Sequence, residues 1–149
     1  MGDATATRNK GAVKAGNGKY GYMIADLDVI EAGTGYSTSK GGVLEGERMQ
    51  VGLIHKARGT GSRAHSHPNE QFNYVLQGTL KVEMDGQQFL APAGTVVYVP
   101  ANMIHSMVAT PEEDVIFYVV KDLSHGIIGK AADGTMSGAH YDPGFEPEK

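Results

Sequence analysis

Short segments with an apolar residue at every second position recur along the middle of the chain, each closed by turn residues. The segment Thr79 to Met84 alternates in this way, Asp85-Gly86 predicts a tight hairpin, and Gln87 to Leu90 returns. We find no helical periodicity sustained over about ten residues. Short strands at regular spacing favour a double-sheet jelly roll. The sequence therefore predicts an all-β fold with little or no helix.

The length of 149 residues suits one domain with a full core. Residues 1–19 are small and polar without periodicity, and we expect a flexible N-terminal arm there. The predicted barrel domain spans residues 20–130. Residues 131–149 contain several glycines and prolines and end in acidic residues, which predicts a C-terminal tail.

Charge and composition exclude several classes of function. The formal net charge is −4 and no cluster of basic residues occurs, so we expect no nucleic-acid partner. No apolar segment approaches the roughly 18 residues of a membrane-spanning helix, so no membrane partner is expected. Cysteine is absent, which excludes thiolate metal ligands and is compatible with a reducing compartment. We expect a cytoplasmic protein that acts on a small molecule.

Three histidines form the strongest candidate for a functional site. His65 and His67 are two positions apart, so an extended strand presents both imidazoles on one face, which makes half of a metal site. Pro68 then interrupts the strand, as proline can do only at a strand end, an edge or a bulge. Gln71 follows this break and can return to the same point. A third imidazole, His105, comes later in the chain.

These residues belong to two motifs that resemble the paired motifs of the cupin superfamily. The first motif has Gly, five residues, His-x-His, three or four residues, Glu, six residues and Gly. The second has Gly, five residues, Pro-x-Gly, two residues, His, three residues and Asn. The matching positions are Gly59, His65, His67, Gln71 and Gly78 for the first motif, and Gly94, Pro100, Asn102, His105 and Ala109 for the second.

Three of these positions depart from the family pattern. Gln71 replaces Glu, Asn102 replaces Gly and Ala109 replaces Asn. Asparagine tolerates a left-handed backbone nearly as glycine does, so we expect the turn at Asn102 to form. A neutral glutamine in place of glutamate leaves the full +2 charge on a bound metal, which favours Lewis-acid chemistry.

The resemblance covers about Met49 to Val120 and implies a small single-domain cupin with a double-stranded β-helix barrel. It implies one metal ion held by His65, His67, Gln71 and His105. Three imidazoles and one carboxamide oxygen suit a divalent transition metal such as Fe²⁺, Mn²⁺, Ni²⁺ or Zn²⁺, whereas calcium and magnesium prefer oxygen ligands. Glu70 is the alternative to Gln71. Because adjacent strand residues face opposite ways, we expect Gln71 inside and Glu70 outside.

Strand alternation adds further candidate site residues. Asn73 is predicted to point inward with Gln71, where a buried amide orients a ligand or binds substrate. His55 is predicted on the inner face of the segment Arg48 to Lys56, either as a core histidine or as an acid–base group. Tyr118 is a candidate proton donor if the register of its strand turns it inward. The predicted inner wall consists of Val51, Leu53, Val75, Met103 and Met107.

Tyr36 lies in a loop rich in Gly, Ser and Thr. It could cover the mouth of the barrel, although we expect a solvated loop tyrosine. The outward residues Phe72, Tyr74 and Leu76 would expose apolar surface, which predicts a homodimer.

The resemblance predicts a metal-dependent cupin enzyme that acts on a small oxygen-rich organic molecule. The local sequence is similar to small single-domain cupins that include sugar-acid ring-opening enzymes, lyases and dioxygenases. The first expectation is a non-haem Fe(II)-type dioxygenase. One alternative is a non-oxidative Lewis-acid isomerase, tautomerase or lyase, for example on sugar acids. A second alternative is a non-catalytic metabolite-binding cupin.

Overall fold

The computed structural model describes residues 8–148, and its regular structure is almost entirely β-strand. Within these residues one 3₁₀ turn occurs, at Ile24–Asp26. The all-β prediction is confirmed. None of the helical structure within this range is long or apolar enough to cross a bilayer. The strands are β1 Val13–Lys14, β2 Ile30–Glu31, β3 Lys40–Glu45, β4 Met49–Lys56, β5 Thr60–Gly61, β6 His65–Ser66, β7 Gln71–Gln77, β8 Thr79–Met84, β9 Gln87–Pro92, β10 Val96–Val99, β11 His105–Ala109, β12 Val115–Asp122, β13 Lys130–Ala131 and β14 His140–Tyr141.

The strands form two sheets whose inner faces share one hydrophobic core. The first sheet has the order β1-β3-β4-β12-β7-β10, with β2 paired to β3. The second has the order β13-β6-β11-β5-β14, with β8 paired to β11 and to β9. Val75 and Phe117 from the first sheet join Leu80 and Met107 from the second in the same buried cluster. This arrangement is the predicted jelly roll, with strands β6, β7 and β11 carrying the motif residues.

The inner face of β4 is the opposite of the predicted one. Gln50, Ile54 and Lys56 are buried, whereas His55 is exposed and Val51 and Leu53 are only half-buried. Both faces of β4 carry apolar residues, so its alternation is ambiguous when the strand is taken alone. Pairing with β12 decides the register by placing Ile54 opposite the buried Phe117. The predictions that His55, Val51 and Leu53 line the barrel are therefore wrong.

Residues from both ends of the described chain pair with the barrel strands. Val13–Lys14 runs parallel to Leu44 and Glu45 of β3, and His140–Tyr141 pairs with β5. The side chain of Asn9 bonds the buried carboxylate of Glu45. The division into arm, barrel and tail stays a prediction, since residues 1–7 lie outside the described range.

Candidate metal centre

The side chains of His65, His67 and His105 converge inside the barrel. His65 on β6 is the antiparallel partner of His105 on β11, so pairing of these strands brings their rings together. His67 follows β6 on the same side. All three are buried, and one ring nitrogen from each lies within 4.8 Å of the others. The geometry therefore provides three imidazole donors at one point.

The turn before His105 connects the two motifs. Asn102 adopts a φ of 64°, in the left-handed region, which confirms that asparagine serves where the family has glycine. Its backbone N–H donates to the carbonyl of His67 at 2.8 Å. This turn therefore positions the third imidazole against the first pair.

Backbone carbonyls fix the orientation of each ring. The Nδ1 atoms of His65, His67 and His105 lie 2.8, 2.9 and 2.8 Å from the carbonyl oxygens of Arg63, Asn69 and Met103, respectively. A carbonyl oxygen can only accept, so each Nδ1 carries the proton and each Nε2 keeps its lone pair. Such outer bonds are the usual support of metal-ligating histidines.

The Nε2 atom of His67 is buried and has no hydrogen-bond partner among the described residues. Buried polar atoms without partners are rare in native proteins, and the binding of an ion is one established reason for them. Three free imidazole lone pairs suit a divalent first-row transition metal. The residues present therefore fit a metal ion.

Burial also keeps the three imidazoles neutral. It lowers the pKa of His65 to about 2, with a further contribution from His105. Burial, followed by the charge of Lys121, lowers the pKa of His67 to about 3. Burial is likewise the main reason why the pKa of His105 falls to about 4. At neutral pH all three rings are in the form that binds a metal.

Gln71 and Asn73 point into the barrel, and Asn73 fixes the orientation of the Gln71 amide. Gln71 Nε2 donates to Asn73 Oδ1 at 2.7 Å, and Asn73 Nδ2 donates to the sulfur of Met107 at 3.1 Å. The Gln71 oxygen is thereby left for another partner. Gln71 is close to His67, since it raises the pKa of His67 against the effect of burial. The role of Gln71 as fourth ligand stays a prediction.

Two of the predicted site residues, His55 and Tyr118, do not reach the centre, and neither does Glu70, the alternative to Gln71. Glu70 is exposed, as expected, and its carboxylate accepts the hydroxyl of Tyr98 at 2.6 Å. His55 lies on the outer face of β4. Tyr118 alternates with the buried Phe117 and therefore faces outward. His55 and Tyr118 face away from the barrel, so neither side chain lines the site.

Tyr36 is a buried part of the site, although we expected it to be solvated. It is 2% exposed, and its ring stacks on His65 with a centroid distance of 4.2 Å. Its hydroxyl accepts the backbone N–H of Gly129 at 2.8 Å. Tyr36 therefore links the loop before β3 to the segment before β13 across the site.

Two buried lysines, missed in the sequence, line the same cavity as His65 and His105. Lys56 Nζ donates to Ser37 Oγ at 3.1 Å, and Lys121 Nζ donates to the carbonyl of Ile127 at 2.9 Å. Lys121 follows Val115, Phe117 and Val119 in the alternating buried positions of β12. This alternation was the signal that could have predicted its inward position. Lys56 was missed because the face of β4 was assigned wrongly.

The cavity beside the histidines measures about 40 Å³. Its polar lining includes Gln71, Asn73 and the two lysines, and none of the described residues around it is acidic. Burial lowers the pKa of Lys56 to about 7 and that of Lys121 to about 7, the latter also through the charge of Lys56. The cavity therefore combines metal-ligand donors with two groups that exchange protons near neutral pH.

Replacing Lys56 by methionine is expected to stabilise the metal-free protein. Below pH 7 the native state holds the buried charge, while the unfolded lysine has its ordinary pKa of 10.5. Between pH 7 and pH 10.5 the unfolded chain binds more protons than the native protein, so the stability of the wild type rises with pH. We expect Lys56→Met to raise the free energy of unfolding by about 2–4 kcal/mol at pH 6. The gain should shrink at pH 9, as measured by urea denaturation with a chelator present.

The matched control for this variant is Lys81→Met. Lys81 is exposed on β8, so its replacement should leave the unfolding free energy almost unchanged at both pH values. A Lys56→Met protein that is less stable than wild type at pH 6 would contradict the prediction.

Comparison with known proteins connects this geometry to a family. Residues 52–121 match the family model described as a cupin domain. The matched segment begins within β4 and ends within β12. It therefore contains the three histidines, Gln71, Asn73 and both lysines. No curated protein sequence matches the chain.

Several solved structures are similar to part of the chain. An RmlC-like cupin family protein with a double-stranded β-helix fold from Methanocaldococcus jannaschii is 23% identical, with a TM-score of 0.48, over 51% of this chain and 71% of that protein. A cupin-like protein from Thermotoga maritima is 27% identical, with a TM-score of 0.45, over 48% and 55%. KdgF from Halomonas sp. is 26% identical, with a TM-score of 0.47, over 50% and 69%.

Proposed function

Because this chain is a small protein of the cupin superfamily, we propose that it is a metal-dependent enzyme that acts on a small oxygen-rich organic molecule by non-oxidative acid–base chemistry. The observation that carries the proposal is the position of Lys56 and Lys121 around the same cavity as His65 and His105. A site that only holds metal has no need of buried lysines, which are costly to fold.

His65, His67 and His105 would hold a divalent first-row metal through their Nε2 atoms, with Gln71 Oε1 as a further donor. When bound, such an ion supplies Lewis-acid polarisation of a substrate carbonyl oxygen. The histidines are then occupied as ligands, so proton transfer has to come from other groups.

The lysines are the groups available for proton transfer. Burial brings the pKa of each to about 7, where an ammonium group can give a proton to one substrate atom and the resulting amine can take a proton from another. Asn73 and Gln71 add amide dipoles to the lining of the same cavity. This set of residues supports isomerisation, tautomerisation or elimination next to a carbonyl group. Tyr36 and the segment near Gly129 would exclude water.

A dioxygenase is the second candidate function, because the donor set also suits iron. Three neutral imidazoles with a neutral amide suit Fe²⁺ as well as Zn²⁺, Mn²⁺ or Ni²⁺, because ligand type does not separate these ions. With iron bound, the site would supply oxidative cleavage of a chelating substrate by dioxygen. This reaction needs no lysine, which is why we place it second.

Turnover with and without oxygen tests the two candidates. The purified protein would be analysed for bound metals and assayed with small 2-oxo acids, diketones, catechols and unsaturated sugar acids under argon and in air. Turnover under argon that is lost in Lys121→Met supports the acid–base proposal. Oxygen uptake with iron bound overturns it in favour of the dioxygenase. Metal binding without any turnover would indicate a metabolite-binding protein instead.

We also propose that two copies associate through the outer face of the first sheet. Phe72, Tyr74 and Leu76 on β7 are 45%, 45% and 48% exposed, and Val96 and Tyr98 of the neighbouring β10 extend this apolar face. Exposed apolar patches of this kind usually mark interaction sites. Phe72→Glu should convert a dimer to a monomer at micromolar concentration in light scattering. Leu90→Glu, on β9 of the second sheet, is the control. A monomeric wild type would contradict the proposal.

A further inference from the structure

We infer that the substrate of this site is a short dicarboxylate, held between Lys56 and Lys121. The inference rests on the proposed function and names the class of molecule that the cavity takes. It follows from where the two lysines lie, from their hydrogen bonds and from the absence of acidic groups around them.

The two lysines approach the cavity from opposite ends. They lie on neighbouring antiparallel strands, where Lys56 pairs with Val115 and Lys121 pairs with Gln50. Six positions separate these pairs, which is roughly 20 Å along a strand. Both side chains nevertheless line one cavity. Both lysine side chains therefore reach the same space, which His65 and His105 also line.

Each ammonium group has hydrogen-bonding capacity left. An ammonium has three donors, and among residues 8–148 each lysine has one oxygen partner, Ser37 Oγ for Lys56 and the carbonyl of Ile127 for Lys121. Lys56 is 3% exposed and Lys121 is 5% exposed, so water cannot freely serve the remaining donors. Buried polar groups of this kind require partners.

No carboxylate of the described chain neutralises these lysines. The salt bridges involve other residues, and the residues lining the cavity include no Asp or Glu. Asp122 is adjacent to Lys121 in sequence, but its carboxylate accepts the backbone N–H groups of Glu70 and Ser124 outside the cavity. A ligand with a single carboxylate would pair one lysine and leave the other as an unpaired buried cation. A ligand with two carboxylates pairs both.

The volume of the cavity limits the length of this ligand. The volume of about 40 Å³ counts only the positions that the centre of a water molecule can occupy, so the cavity holds roughly three water molecules. Three water molecules fill about 90 Å³ in the liquid. That space suits a molecule of roughly three or four carbons. A dicarboxylate of this length also has oxygens near the histidine cluster, because His65 and His105 line the same cavity as the two lysines.

Calorimetry with malonate and acetate tests the inference. At pH 6, where both lysines are protonated, zinc-loaded wild-type protein should bind malonate at least ten-fold more tightly than acetate. Lys56→Met and Lys121→Met should each reduce malonate affinity at least ten-fold and bring it close to that of acetate. Lys81→Met, an exposed lysine on β8, should behave as wild type. Equal affinities for the two acids in the wild type, or an unchanged preference in both lysine variants, would overturn the inference.

Metal content separates this result from failure of the proposed function. Zinc occupancy and thermal midpoint would be measured for every variant, and malonate titration would be repeated on metal-free protein. A wild type that binds no metal but still prefers malonate would overturn the metal-dependent function and leave the lysine pair supported. Variants with full zinc occupancy and unaltered malonate binding would overturn the dicarboxylate inference alone.

Discussion

His105→Ala is expected to lower the affinity for a divalent metal at least about 100-fold. The variant removes one of three imidazole donors, because one ring nitrogen of His105 lies within 4.8 Å of ring nitrogens of His65 and His67. Loss even of the groups that only support a ligand typically costs 10–100-fold in affinity, so loss of a ligand should cost more. Elemental analysis after dialysis and competition with a chromogenic chelator measure the effect.

His55→Ala is the matched control for this experiment. His55 is also a histidine on a barrel strand, but it lies on the exposed face of β4. Its replacement should change neither metal content nor affinity. Equal metal loss in the two variants would mean that binding occurs at exposed histidines, and retention of metal by His105→Ala would show that the cluster is not the metal site.

Asn73→Leu is expected to weaken metal binding by about 10–100-fold without contact between Asn73 and the metal. The Asn73 oxygen accepts the Gln71 amide at 2.7 Å and so holds the Gln71 oxygen free. Leucine has a similar size but no acceptor, so the Gln71 amide would lose its fixed orientation. The dissociation constant for zinc, measured by chelator competition, reports the change.

A double-mutant cycle shows whether Asn73 acts through Gln71. Gln71→Ala should weaken zinc binding, and addition of Asn73→Leu to this variant should have almost no further effect. Additive losses in the double variant would show that Asn73 influences the metal by another route. An unchanged affinity in Gln71→Ala would mean that Gln71 is not a ligand.

Most of the fold was predictable because it depends on local signals. The hairpin at Asp85-Gly86 connects β8 and β9 as expected, and both residues have positive φ values of 51° and 71°. The inward position of Gln71 and Asn73 followed from alternation after Pro68. In β7 the polar inward residues stand between exposed aromatic ones, and the motif spacing settled which face points inward.

The face of β4 was not predictable from its own residues. Met49, Val51 and Leu53 form an apolar set, but Gln50, Ile54 and Lys56 are the residues that the barrel buries. Apolar content normally marks the inner face, and here the outer face of the sheet is apolar as well. Lys56 was not predicted in the cavity for this reason, and His55 was predicted on the inner face instead.

The amino-acid sequence by itself determined the spacing of the imidazoles, the turn at Asn102 and the β-strand alternation, because each depends on neighbours within a few residues. Only the tertiary structure decided which face of β4 and β12 is buried, since that depends on register between strands distant in sequence. The tertiary structure also decided which residues line the cavity. Lys56, Lys121 and Tyr36 come from three separate elements, and the chemistry they share with the histidines exists only once the two sheets have closed around them.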